Sequence, residues 1–179
     1  MNTEWAAICS RVTEAMLDHV APFATPIAID EVGYGEHWGT GAYLEYQGLR
    51  LLLSNAHVLD HRSQNRHLTH KFYDGADIYR MVGHHVALEA PYDVAALPVN
   101  PEMWGLSANR GQVIPETRLG REHAPYEREL MFVYGFAGDN ATFMFDTMVA
   151  GGTGYLCQEV PLPTDEVINP AYHFALGYR

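Results

Sequence analysis

"GTGAYLEYQGLRLLLSNAHVL", residues 39–59, is the stretch on which the fold turns. It reads as two strands joined at Gln47-Gly48, a turn signal set between two apolar-rich runs. Leu51, Leu52 and Leu53 make an unbroken apolar run, the mark of a buried strand. The chain then turns polar at Ser54 and Asn55, and His57 stands where the strand ends. A base at a strand end can face a substrate while the strand fixes its position.

Upstream, Trp5, Ile8, Val12, Met16 and Val20 recur every three or four residues, which predicts an amphipathic helix. Asn2 or Thr3 would cap it, and Pro22 and Pro26 would end it. Downstream, "DIYRMVGHHVALEA" (77–90) predicts one strand, or two separated at Gly83. "DVAALPV" (93–99) predicts a short buried strand stopped by Pro98. Residues 100–127 are rich in Pro, Gly, Asn and Arg and read as a linker. "ELMFVYGFAGD" (129–139) opens a second lobe, "ATFMFDTMVAGGTGYLCQEV" (141–160) predicts two strands around Gly151-Gly152, and "AYHFALGY" (171–178) a last one. Many short strands with turn signals predict an all-β sandwich or barrel pair.

The 179 residues suffice for one medium domain or two small lobes, and 47% hydrophobic with 18% charged residues suits a soluble packed core. The net charge is -11, and Lys71 is the only lysine. Such a surface repels phosphate backbones, which argues against a nucleic-acid partner. No apolar run approaches a membrane span and the N-terminus lacks a signal-peptide pattern, so the expected location is cytoplasmic. Cys9 and Cys157 make neither a disulfide framework nor a zinc quartet and read as buried free thiols. His57, His61, His67 and His70 lie close in sequence, but no Glu stands between His57 and His61. Residues 61–75 read as a polar surface loop with solvated histidines, and no metal site is expected. His84 and His85 would point to opposite faces of a strand.

Asp93 opens a strand just as His57 closes one. A carboxylate beside an imidazole would hold one tautomer and stabilise the imidazolium. The wider pattern resembles the trypsin-like serine proteases in their bacterial HtrA-like form. It consists of Gly39-Thr40-Gly41, then Ser54-Asn55-Ala56-His57-Val58, then Asp93-Val94-Ala95-Ala96-Leu97, then Tyr134-Gly135-Phe136 as a turn into the second barrel. The resemblance covers roughly residues 32–138. It implies an all-β double barrel that follows the N-terminal helix of residues 1–24: a first barrel in 25–105 carrying His57 and Asp93, and a linker with an incomplete second barrel in 106–179. It further implies peptide-bond hydrolysis of a peptide or protein substrate, His57 as general base, Asp93 as its orienting carboxylate, and no cofactor.

The family also needs a nucleophile in a glycine-rich loop after the aspartate, where backbone N–H groups meet the oxyanion. Ser10, Ser54 and Ser63 precede Asp93, and Ser107 lacks the glycine pattern. Thr153 has flanking glycines, which read more simply as a tight turn or bulge. Cys157 lacks following glycines and reads as packing. In the family, a strand like "AYHFALGY" leads into the serine loop, and here the sequence ends at Arg179. The expectation is a protease chain lacking its nucleophile and inactive as it stands, with self-association through unfinished barrel edges. The rival expectation is a non-catalytic interaction module on a protease-like scaffold.

Overall fold

A computed structural model describes residues 3–31, 34–60, 67–106, 108–120, 122–124, 126–127, 129–144, 147–164 and 173–178. The protein is mostly β-sheet, with an N-terminal helix and two mainly antiparallel sheets. Helix α1 spans Thr3–Val20 and passes through a 3-10 turn, Ala21–Phe23, in which Pro22 stops the helical ladder. The helix lies along one side of the second sheet, and its Leu17 side chain sits over Gly154. Cys9, Val12, Met16, Leu17 and Val20 are half-buried, whereas Trp5 and Ile8 at the outer end remain exposed.

The first sheet is built from β1 (Ala24–Glu31), β2 (Tyr34–Tyr46), β3 (Leu49–Ser54), β4 (His67–Lys71), β5 (Ile78–Arg80), β6 (Val86–Leu88) and β7 (Val94–Pro98), in the spatial order β5-β4-β1-β2-β3-β7-β6. The β2–β3 hairpin turns at Gln47 (φ 50°) and Gly48 (φ 76°), the paired left-handed conformation that matches the twist of the strands. Between β5 and β6 the chain turns at Gly83, which has φ 95°.

The sheet cannot be flat. Its two outer strands, β5 and β6, are separated by six inter-strand spacings, about 29 Å across a flat sheet. Yet the chain from Arg80 to Val86 spans at most about 21 Å. The sheet must therefore curl around its core. Ile27, Tyr43, Leu52, Leu59, Leu68, Phe72 and Leu97 fill that core, with Trp104 packed against it.

Four sequence expectations change here. Residues 67–71 are not a surface loop: they form β4, paired on both sides by β1 and β5. Leu68, His70 and Phe72 alternate inward at a period of two and are all buried. The predicted linker carries structure as well. Asn100 Oδ1 accepts from the Glu102 N–H at 2.9 Å and, with Pro101 in the first turn, starts α3 (Pro101–Leu106). Farther on, β8 (Ile114–Pro115) pairs parallel to β2.

The second sheet has the order β11-β10-β9, from β9 (Met131–Met144), β10 (Thr147–Val160) and β11 (Ala175–Tyr178). Gly151-Gly152 does not separate two strands. It lies inside β10, at a register shift between Ala150 and Gly152. The Tyr134 ring lies where a Cβ of residue 152 would be, so a glycine is needed for space. Gly135 likewise belongs to the interior of β9 rather than to a turn, and its missing side chain admits the Thr40 hydroxyl.

Candidate active site

The first sheet brings His57 and Asp93 together by register. Strands β3 and β7 are antiparallel, with Ser54 opposite Ala95. Residues just after β3 therefore meet residues just before β7. Beyond Ser54, the short helix α2 (Ala56–Asp60) buries Ala56, Val58 and Leu59 and turns His57 outward. Val58 packs against Gly39, where a Cβ would come within 3.0 Å of both Val58 methyl groups. Gly41 faces Leu52 and Thr25 as closely, so both glycines of the Gly39-Thr40-Gly41 motif make room for side chains that anchor the site.

Asp93 has φ 48°, a left-handed conformation that Asp tolerates better than most residues. Its amide donates to the Glu89 carbonyl at 3.2 Å. The carboxylate then accepts three hydrogen bonds. Oδ1 takes the His57 backbone N–H at 3.0 Å, and Oδ2 takes His57 Nδ1–H at 2.6 Å and Asn55 Nδ2–H at 3.2 Å. Asn55 Nδ2 also donates to the Asp93 carbonyl at 3.1 Å. The His57 N–H, donating first and foremost, holds the Asp93 carboxyl below its ordinary value, with the imidazole and the Asn55 amide adding to the effect.

An ionised carboxylate only accepts, so the proton of the neutral imidazole must sit on Nδ1. Nε2 then carries the lone pair. The His57 side chain is 67% exposed against 36% for Asp93, so the ring is open to solvent while its partner is half covered. The arrangement can accept a proton at Nε2 and steady the cation that results.

The described serines do not complete this pair. The Ser54 hydroxyl donates to the Thr40 carbonyl at 2.9 Å, and Ser10 lies on α1. Ser63 and Ser107 lie outside the described residues. Thr153 is in β10 opposite Gly135, and Cys157 is buried in β10 between Met131 and Tyr178.

The remaining histidines go elsewhere, and one corrects the solvated reading. His70 is buried, with Nδ1 at 2.8 Å from the Tyr43 hydroxyl. Burial lowers its pKa to about 4 and raises that of Tyr43, so a neutral imidazole and a neutral phenol share this hydrogen bond. The hollow beside it measures only about 20 Å³, room for about one water. The inward alternation of Leu68, His70 and Phe72 was the signal that could have placed it. His84 and His85 lie before β6 rather than in a strand, and His85 Nε2 is 3.9 Å from Asp60 Oδ1. His61 lies outside the described residues. Among the described residues, no three His, Cys, Asp or Glu side chains are grouped to hold a metal ion, and no helix is long and apolar enough to cross a membrane.

No family model matches the chain, and neither does any curated protein or solved structure.

Proposed function

We propose that this chain carries the base-and-acid part of a trypsin-like serine endopeptidase. The observation that carries the reading is the doubly bonded pair. Asp93 accepts both the backbone N–H and the Nδ1–H of His57, a residue 36 positions away in sequence. In this reading the curled first sheet is the first barrel, and β9–β11 belong to the second. A serine outside these 179 residues, on this polypeptide or another, attacks the peptide carbonyl as His57 Nε2 takes its proton. Asp93 steadies the imidazolium, the protonated His57 delivers the proton to the leaving amine, and water then clears the acyl-enzyme. The 179 residues alone are inactive.

The rival reading is a non-catalytic interaction module, and one observation favours it: the Ser54 hydroxyl, three residues from His57, is spent on the Thr40 carbonyl. A fluorophosphonate probe applied to the protein from its native source separates the two. The peptidase reading predicts one adduct on a polypeptide that carries or accompanies this chain. An unlabelled species of 20.1 kDa, with no labelled companion, would leave His57 and Asp93 without catalytic work.

The same reading predicts self-association. Among the described residues, the outer edge of β11 has no strand partner, and a free edge is a template for pairing. Sedimentation equilibrium should show an apparent mass that rises with concentration. A constant monomer mass would remove this expectation.

A further inference from the structure

Between the two sheets, away from His57 and Asp93, lies a cleft of about 350 Å³, within the usual size range of small-ligand sites. Its walls are largely apolar and aromatic, with Tyr73 from the loop after β4, Tyr134 and Phe136 from β9, and Met148 from β10. Lys71, the sole lysine of a chain with net charge -11, lines it too. Its ammonium bridges the sheets by donating to the Met148 carbonyl at 3.0 Å. That bond uses one of three donors and neutralises no charge.

Among the described residues, the other charges at the cleft cancel. Asp74 also lines it, but its carboxylate is paired with the Arg110 guanidinium, which in turn lies 5.6 Å from the Tyr73 ring centre. Burial, together with the neighbouring Tyr73, keeps the Tyr134 phenol protonated and neutral. Among the described lining residues, one positive charge thus remains against aromatic walls. A phosphate dianion would call for more cations than this; a monoanion with an apolar body matches it.

We propose that this cleft binds a small monocarboxylate with an aromatic or apolar body, its carboxylate on Lys71 Nζ and its body between the rings of Tyr73, Tyr134 and Phe136. The site is independent of the His57–Asp93 pair.

Calorimetric titration with benzoate, and with benzyl alcohol as its neutral counterpart, tests the proposal. Benzoate should bind, benzyl alcohol should bind at least about tenfold more weakly, and Lys71→Met should weaken benzoate by a similar factor. A second readout avoids reliance on the variant's folding. Saturating benzoate should slow acylation of Lys71 by an amine-reactive ester in the unaltered chain, followed by the mass of the Lys71 peptide. N-acetylphenylalanine distinguishes the sources of the carboxylate: at least about tenfold tighter binding than benzoate points to a peptide C-terminus, anything weaker to a free acid. Absence of benzoate binding at about 10 mM, equal affinity for benzyl alcohol, or unprotected Lys71 would overturn the proposal.

Discussion

The first sheet and the second are covered in different ways. Thirteen buried residues, from Ile27 to Val99, pack into one cluster inside the first. Of the described side chains in the second, Met148, Leu156 and Cys157 are buried. The first sheet curls and covers its own apolar face. The second relies on neighbours: α1 lies along one side of it, and Met148 faces the cleft shared with the first sheet. A sheet that closes on itself carries its stability with it, whereas one covered by other elements loses order when they move.

Truncating one leucine in each sheet should separate the two most clearly. Leu52→Ala, at a fully buried site, should cost about 3–4 kcal/mol in urea unfolding. Leu156→Ala should cost about half as much, because α1 and nearby strands can settle into the space. Equal losses would mean that the two sheets share one core.

Next in size is a pH effect confined to the first sheet. His70 stays neutral in the fold down to about pH 4, but in the unfolded chain it takes up a proton near pH 6.5. Stability should therefore fall as pH drops from 6.5 to 4, by about 3 kcal/mol at the lower end. Urea midpoints across that range should show a slope that His70→Gln flattens; an unchanged slope would show that His70 is not its source.

In the second sheet, Gly152→Ala places a methyl group on the Tyr134 ring and should cost about 2 kcal/mol. Adding Tyr134→Leu should recover part of that loss, read as a coupling in a double-mutant cycle. Strictly additive effects would show that the bulge, and not the ring, requires the glycine.

The smallest stability effect belongs to the candidate site. Asp93→Asn should change stability by less than about 1 kcal/mol, because the pair is exposed. It should nevertheless abolish a downfield imidazole N–H signal from His57 in proton NMR. The lowered Asp93 value sets the pH dependence of that signal: present above the ordinary carboxylate range, and lost only as pH falls through the depressed value. Persistence of the signal in Asp93→Asn would show that the carboxylate does not hold the ring.

The sequence made some of this legible for local reasons. The β2–β3 hairpin announced itself because Gln47-Gly48 must supply two left-handed residues. His57 and Asp93 could each be placed at a strand end, because apolar runs stop beside them. Their meeting could not be read, since it depends on the pairing of Ser54 with Ala95, a long-range register. Strand β4 was hidden by composition, because two histidines, a lysine and a threonine look polar even when alternate positions point inward. Helix α3 was masked by the glycines and prolines around its Asn100 cap. The glycines beside Thr153 read as a turn or a bulge, and the register shift at Gly152 fits the bulge; the expected split into two strands failed because glycine's role there is spatial, and the ring that needs the space comes from another strand.

Thr40 has a mechanical consequence. Its hydroxyl accepts the Phe136 N–H at 2.8 Å, across from one sheet to the other, while its carbonyl accepts from Ser54 at 2.9 Å. Ser54 is the last residue of β3, three positions before His57. A torque applied to the second sheet thus has a short route, through one threonine and one serine, to the pivot on which the imidazole is mounted.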